Sequence, residues 1–195
     1  LTTPLDSGSV EWKVLKDLVG GSRTEVINPG EGDKYRCGLI YLDILYPPNA
    51  DLSAIPTVFQ TDDSMGVMGA YTSAKDPNEF SLVLLLSFKD FDALFTGDIN
   101  PGISDKIAEQ LALSDSRRVE YIKVPHHGSK NGLTDSLLVV SDPEIAVVSA
   151  GKNNSYGHPH KEILDMLQSA GVRILRTDES GDVVIETDGN NIFYR

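Results

Sequence analysis

The chain has 195 residues, 40% hydrophobic and 24% charged, which is enough for one buried core and too few for two ordinary domains. Its 29 acidic residues against 17 basic ones leave a net charge of −12, the wrong sign for a protein that coats nucleic acid through nonspecific phosphate contacts. A single cysteine, Cys37, excludes an internal disulfide and a thiolate-rich metal site, and no apolar run approaches the ~20 residues needed to span a bilayer.

In chain order, Ser7-Gly8-Ser9 precedes an amphipathic helix over Val10–Val19, whose Val10, Val14, Leu15 and Leu18 share a face and which Gly20-Gly21 stops. Strand-type segments follow at Glu25–Ile27 and Gly38–Tyr46, the second ended by Pro47-Pro48. About thirty residues rich in Gly, Ser, Asp and Pro come next, with little periodicity. Phe80–Phe88 and Ala93–Thr96 read as consecutive buried strands joined by the polar turn Lys89–Asp92. From there helices and strands alternate: helix Ile103–Leu113, strand Val119–Val124, helix Leu133–Val140, strand Ile145–Ser149, helix Lys161–Ser169, strand Val172–Arg176, strand Val183–Thr187. Such alternation predicts an α/β layered domain, and Asn190-Asn191 with Ile192–Tyr194 predicts a hairpin return onto Val183–Thr187. A single domain over residues 1–195 is expected. The chain opens on Leu1 with no basic-then-apolar leader, so it reads as a fragment whose N-terminus lies upstream.

All four histidines fall between residues 126 and 160: His126 and His127 directly after one strand, His158 and His160 after the next. Strand ends on one side of an α/β sheet are where such folds assemble sites, so these segments are expected to meet in space. Leu94-Phe95-Thr96-Gly97-Asp98 brings a carboxylate to a comparable edge. Carboxylate oxygen and neutral imidazole suit Zn or Mn. The bland alternatives are a helix-capping turn for Asp98, solvent-facing loop residues for His126-His127, and a helix-capping loop for His158. Adjacent side chains on extended backbone point opposite ways, so only one of His126 and His127 is expected to be a ligand. Gly128-Ser129-Lys130 offers a hydroxyl, a flexible backbone and a cation suited to a phosphate oxygen. No GxSxG elbow, P-loop or GxGxxG occurs, so nucleophilic-serine and nucleotide-cradling mechanisms have no anchor.

The ordered series Asn78…Ser81-Leu82-Val83, Leu94-Phe95-Thr96-Gly97-Asp98, Val124-Pro125-His126-His127-Gly128-Ser129, Ser149-Ala150-Gly151…Asn154-Ser155-Tyr156-Gly157-His158-Pro159 and Thr177-Asp178…Gly181 resembles the metallo-β-lactamase-like domain of the ComEC family of competence DNA-uptake proteins. The resemblance covers roughly Leu45 to Asp188. It implies an αββα sandwich with two divalent cations, Mn or Zn. Asp98 would bridge the metals and His127, less readily His126, would be the last protein ligand. It also implies that His158, with Asn154 and Tyr156, holds or protonates the scissile phosphate. His126 and His158 are thus the catalytic candidates, Ser129, Lys130, Asn154 and Tyr156 the substrate-binding ones, and Asp98 and His127 the metal ligands.

The family's HxHxDH segment, which supplies most metal ligands, is absent, no histidine precedes His126, and Asn78 stands where another motif histidine would fall. The expectation is therefore an N-terminally truncated sandwich, inactive alone, holding few or no cations. Its exposed sheet face and edge would be covered by the missing N-terminal portion, by a homo-oligomer or by a rearranged sheet. The substrate would be single-stranded DNA or a small phosphodiester of the phosphorylcholine-esterase kind, with a noncatalytic binding or scaffold module as the alternative class. By resemblance the parent lies on the extracytoplasmic face of the cell membrane, with no membrane contact expected from these residues.

Overall fold

The computed structural model describes residues 10–49, 77–114 and 118–195. Its elements are α1 (Val10–Gly20), β1 (Lys34–Cys37), β2 (Ile40–Tyr46), β3 (Val83–Phe88), β4 (Phe91–Phe95), α2 (Pro101–Leu113), β5 (Tyr121–Lys123), α3 (Asp135–Ser141), β6 (Ile145–Val148), α4 (Lys161–Ser169), β7 (Arg173–Arg176), α5 (Thr177–Ser180), β8 (Ile185–Thr187) and β9 (Ile192–Tyr194). The Gly, Ser, Asp and Pro-rich stretch expected after Pro48 lies mostly outside the described residues.

Strands β1 to β7 form one sheet in sequence order, and β8 and β9 form a second, two-stranded sheet. The first four strands run antiparallel, and β4, β5, β6 and β7 run parallel. This is the mixed α/β architecture expected from the alternating pattern. In β6 all four residues of Ile-Ala-Val-Val are buried, as a parallel strand covered on both faces requires.

The register aligns Leu85, Leu94, Ile122, Ala146 and Ile174 in one row across five strands. That row packs with Ile103, Ile107 and Leu111 of α2, Leu137 and Leu138 of α3, and Ile163 and Leu167 of α4 in a single core. Helix α2 forms there because Ile103, Ile107 and Leu111 recur at i, i+4 and i+8, Pro101 opens the first turn, and the Asn100 side chain accepts from the Ile103 N–H at 3.1 Å. On the opposite face, Leu86, Phe91, Ala93, Phe95 and Tyr121 meet Val183, Ile185 and Thr187 of the C-terminal hairpin around a 270 Å³ cavity. The Arg173 guanidinium lies 5.1 Å from the Tyr194 ring centre. A helix layer, a mixed sheet and a second strand layer thus stack as in one side and the middle of the expected αββα sandwich.

Two local expectations differ from the structure. Glu25–Ile27 forms no strand, and Val26 is 54% exposed; β-branched residues favour strands only where a neighbouring strand pairs with them. Lys34–Cys37, a polar segment not expected to be a strand, pairs with β2 across the turn Gly38-Leu39, where Gly38 adopts φ 62°.

Candidate functional site

Parallel pairing from β4 to β6 brings the C-terminal ends of three strands to one edge, and each continues into a chemistry-bearing loop. After β4, Gly97 turns the chain at φ 59° against Ser81, whose Cβ lies 2.9 Å from where a side chain at this position would begin. The Ser81 hydroxyl accepts from the Asp98 N–H at 3.1 Å, and the Thr96 hydroxyl donates to the Lys123 carbonyl at 2.6 Å. Because Asn100 caps α2, the Asp98 carboxylate is not the helix cap that a lone aspartate in this turn would suggest.

After β5, Pro125–Gly128 make a 3₁₀ turn in which His126 and His127 both adopt left-handed backbone, φ 49° and 57°. Two consecutive non-glycine residues in that region are costly unless the surroundings hold them. Here the His126 N–H donates to the Gly97 carbonyl at 3.2 Å and the Ser129 N–H to the His126 carbonyl at 2.9 Å. The turn also sits tightly on the next loop: a side chain at Gly128 would begin 2.6 Å from the Pro159 Cβ, and the His160 N–H donates to the Gly128 carbonyl. The backbone is therefore not extended at the histidine pair, yet the two rings still part company.

His127 meets Asp98, with Nε2 3.3 Å from Oδ2. Its Nδ1 donates to the Ser149 carbonyl at 2.6 Å. A carbonyl only accepts, so Nδ1 carries a proton, and Nε2 is the ring nitrogen turned toward the carboxylate. A carbonyl partner on the far nitrogen is the arrangement that orients metal-binding histidines. His126 turns instead toward His158, ring centres 5.9 Å apart and nearly edge-on.

After β6, Asn154 braces its own loop. Its carboxamide accepts from the His158 N–H and donates to the carbonyls of Gly151 and His158, at 2.9, 2.8 and 2.7 Å. The Thr177 hydroxyl clamps the loop base by bonding both the N–H and the carbonyl of Ala150, each at 2.9 Å. His158 lines an open cleft of about 370 Å³ with His127, Ser149, Ala150, Gly151 and Asn154. Burial, then the neighbouring His160, His126 and His127 rings, hold the His158 imidazole below the ordinary histidine range despite the Asp98 carboxylate, leaving it mostly neutral at pH 7.

The structure thus brings together Asp98, His126, His127, His158 and Asn154. Ser129 is only 4% exposed and its hydroxyl accepts from the Asn131 N–H, which places it inside the turn. Lys130 is exposed, with its N–H donating to Nδ1 of His160 at 3.2 Å. Tyr156 stands at the loop tip, 77% exposed, parallel to His158. Sequence reasoning missed Lys123. Its Nζ lies 3.9 Å from Asp98 Oδ1 and 3.4 Å from the Gly97 carbonyl, and burial lowers its pKa while Asp98 partly restores it. The available signal was a lone charge inside the otherwise buried run Ile122-Lys123-Val124.

As donors for a divalent cation, a carboxylate and a correctly oriented imidazole are of the right kind, but two do not close a coordination shell. A catalytic zinc takes about three protein ligands, and among the described residues no group of three or more His, Cys, Asp or Glu side chains is arranged to hold a metal ion.

No protein-family model matches the chain. It is 36% identical over 115 residues to ComE operon protein 3 of Bacillus subtilis strain 168, 28% identical over 106 residues to Recombination protein 2 of Haemophilus influenzae, and 30% identical over 106 residues to competence protein ComA of Neisseria gonorrhoeae. The matches support a relation to the ComEC family of competence proteins. They take in 56%, 54% and 54% of this chain, which spans only 14%, 13% and 15% of those relatives' lengths. A solved structure of a CmlA beta-hydroxylase mutant is similar over 78% of this chain and 32% of that one, at 15% identity and a TM-score of 0.42.

Proposed function

We propose that this chain is part of a metal-dependent phosphodiester hydrolase of the competence DNA-uptake type, and that Asp98 and His127 are its contribution to a cation site. One observation carries the reading: Asp98 Oδ2 and His127 Nε2 face each other at 3.3 Å while the other histidine nitrogen is committed to the Ser149 carbonyl. Two acceptors in that posture call for a cation or a proton between them. Remaining ligands, and cover for the second sheet face, come in this proposal from a further portion of the same domain or from a second copy.

When bound, divalent cations of this class acidify a water and neutralise phosphate charge. Within this chain, the cleft seats the phosphate and His158, held by Asn154, hydrogen-bonds it from the side. Lys130, exposed beside His160, supplies a cation in a chain of net charge −12. The proposed location, an extracytoplasmic position within a larger membrane protein, rests on the competence relatives alone. Among the described residues no helix is long and apolar enough to cross a membrane.

A noncatalytic binding module is the second reading, favoured by the absence of a three-ligand cluster among the described residues. Elemental analysis and hydrolysis of single-stranded DNA and of bis(p-nitrophenyl) phosphate separate the two, applied to this chain and to a form extended upstream through the next strand and helix. The hydrolase reading expects about two Mn or Zn per extended chain, almost none in the short one, and loss of metal and turnover in Asp98→Ala. An extended chain without metal or turnover installs the binding module instead.

A further inference from the structure

Tyr156 is the most exposed large side chain beside the cleft, at 77% of its surface, and belongs to no core. The adjoining Gly157, at φ 70°, has open space where a side chain would begin, so nothing crowds the loop tip. One face of the ring is nevertheless braced: it lies parallel to His158, centres 5.7 Å apart and planes inclined by 22°. His158 is itself wedged by two further rings, edge-on to His160 at 4.9 Å and to His126 at 5.9 Å. Asn154 then fixes the His158 backbone on both its N–H and its carbonyl. A phenol ring backed by one imidazole that two others wedge in place, with its other face in water, is a preformed platform.

We propose that the open face of Tyr156 stacks a nucleobase of a single-stranded polynucleotide whose phosphate lies in the adjoining cleft. This rests on the phosphodiester reading above and narrows its substrate to one bearing bases. The physical reason is that stacking on an aromatic ring is sequence-tolerant and does not depend on phosphate charge. A chain of net charge −12 gains little from phosphate attraction, so a base contact supplies affinity that its electrostatics withhold. His158 joins the two halves of the contact, since it stacks with Tyr156 and lines the cleft with His127. Lys152, exposed on the same loop, leaves a cation near the strand without turning the surface basic.

The test is a fluorescence titration of this chain with a short single strand carrying 2-aminopurine, alongside the same strand with an abasic site at that position. Stacking predicts quenching on binding, affinity for the base-bearing strand weakened roughly tenfold in Tyr156→Ala, and near-normal binding in Tyr156→Phe. The abasic strand should bind the unaltered chain about as weakly as the base-bearing strand binds Tyr156→Ala. Equal affinity for both strands, or no loss in Tyr156→Ala, overturns the stacking proposal while leaving a polynucleotide substrate in place. If neither strand binds the unaltered chain at all, the stacking proposal falls together with the polynucleotide reading.

Discussion

The two halves of the large sheet differ in how they are buried and in what they carry. The parallel half, β4 to β7, is covered by helices on one face and in part by the hairpin on the other, and its strand ends hold every candidate side chain. The antiparallel half ends in β1, whose four residues are exposed or half-buried, and its turn leaves Leu39 61% exposed. Packing and the candidate side chains lie together: the loops that carry them grow from the strands that are packed on both sides.

The sharpest way to break that contrast is to truncate one side chain in each half. Ile122→Ala empties a fully buried site in β5 and is expected to cost about 2–5 kcal/mol in chemical denaturation. Leu39→Ala, at the exposed turn, should stay within about 0.5 kcal/mol. Similar losses at the two positions would erase the distinction. A smaller effect is expected where the two histidine-bearing loops touch. Gly128 has φ 78° and no room for a methyl against Pro159, so Gly128→Ala should cost about 2–3 kcal/mol and loosen the His158 loop, seen as faster amide exchange there. Unchanged exchange would mean that the loops are positioned independently.

The smallest effect concerns the hairpin. Asp188 accepts from the N–H groups of Asn191 and Asn190 and from the Asn191 side chain, which hold its pKa down to about 2. A carboxyl depressed in the folded state favours folding above its unfolded pKa, and that contribution fades as pH falls through the folded value. The turn should therefore loosen between about pH 4 and pH 2. Asp188→Asn should remove the dependence in a pH series of hairpin amide exchange; a parallel fall in both proteins would assign it to another group.

Much of this contrast was legible in the sequence, because buried parallel strands read as apolar runs and helices α2 and α4 carry their spacing openly. That Asp98 and the histidine loops share one edge followed from strand order, whereas the preference for His127 over His126 came only from the family resemblance. What was not legible depended on partners distant in sequence. Lys34–Cys37 became a strand only because β2 folds back on it, although Gly38 before Leu39 was a turn signal. Ser129 and Asn154 looked like substrate donors, but whether a hydroxyl or carboxamide faces solvent or its own loop is decided by the folded backbone. The left-handed backbone of His126 and His127, forced by the Gly97 carbonyl and the Pro159 contact, left no mark in the residues themselves.

On the proposed reading, His127 turns Nε2 toward Asp98 as a cation ligand and keeps Nδ1 on the Ser149 carbonyl. Long-range ¹H–¹⁵N spectra of the histidine rings at neutral pH, recorded during Zn²⁺ addition, test it directly. The account predicts His127 in the Nδ1–H form, with Nε2 shifting first among the four rings and that shift lost at the same Zn²⁺ concentration in Asp98→Ala. His127 in the Nε2–H form, or a Zn²⁺ response that ignores Asp98, would contradict it.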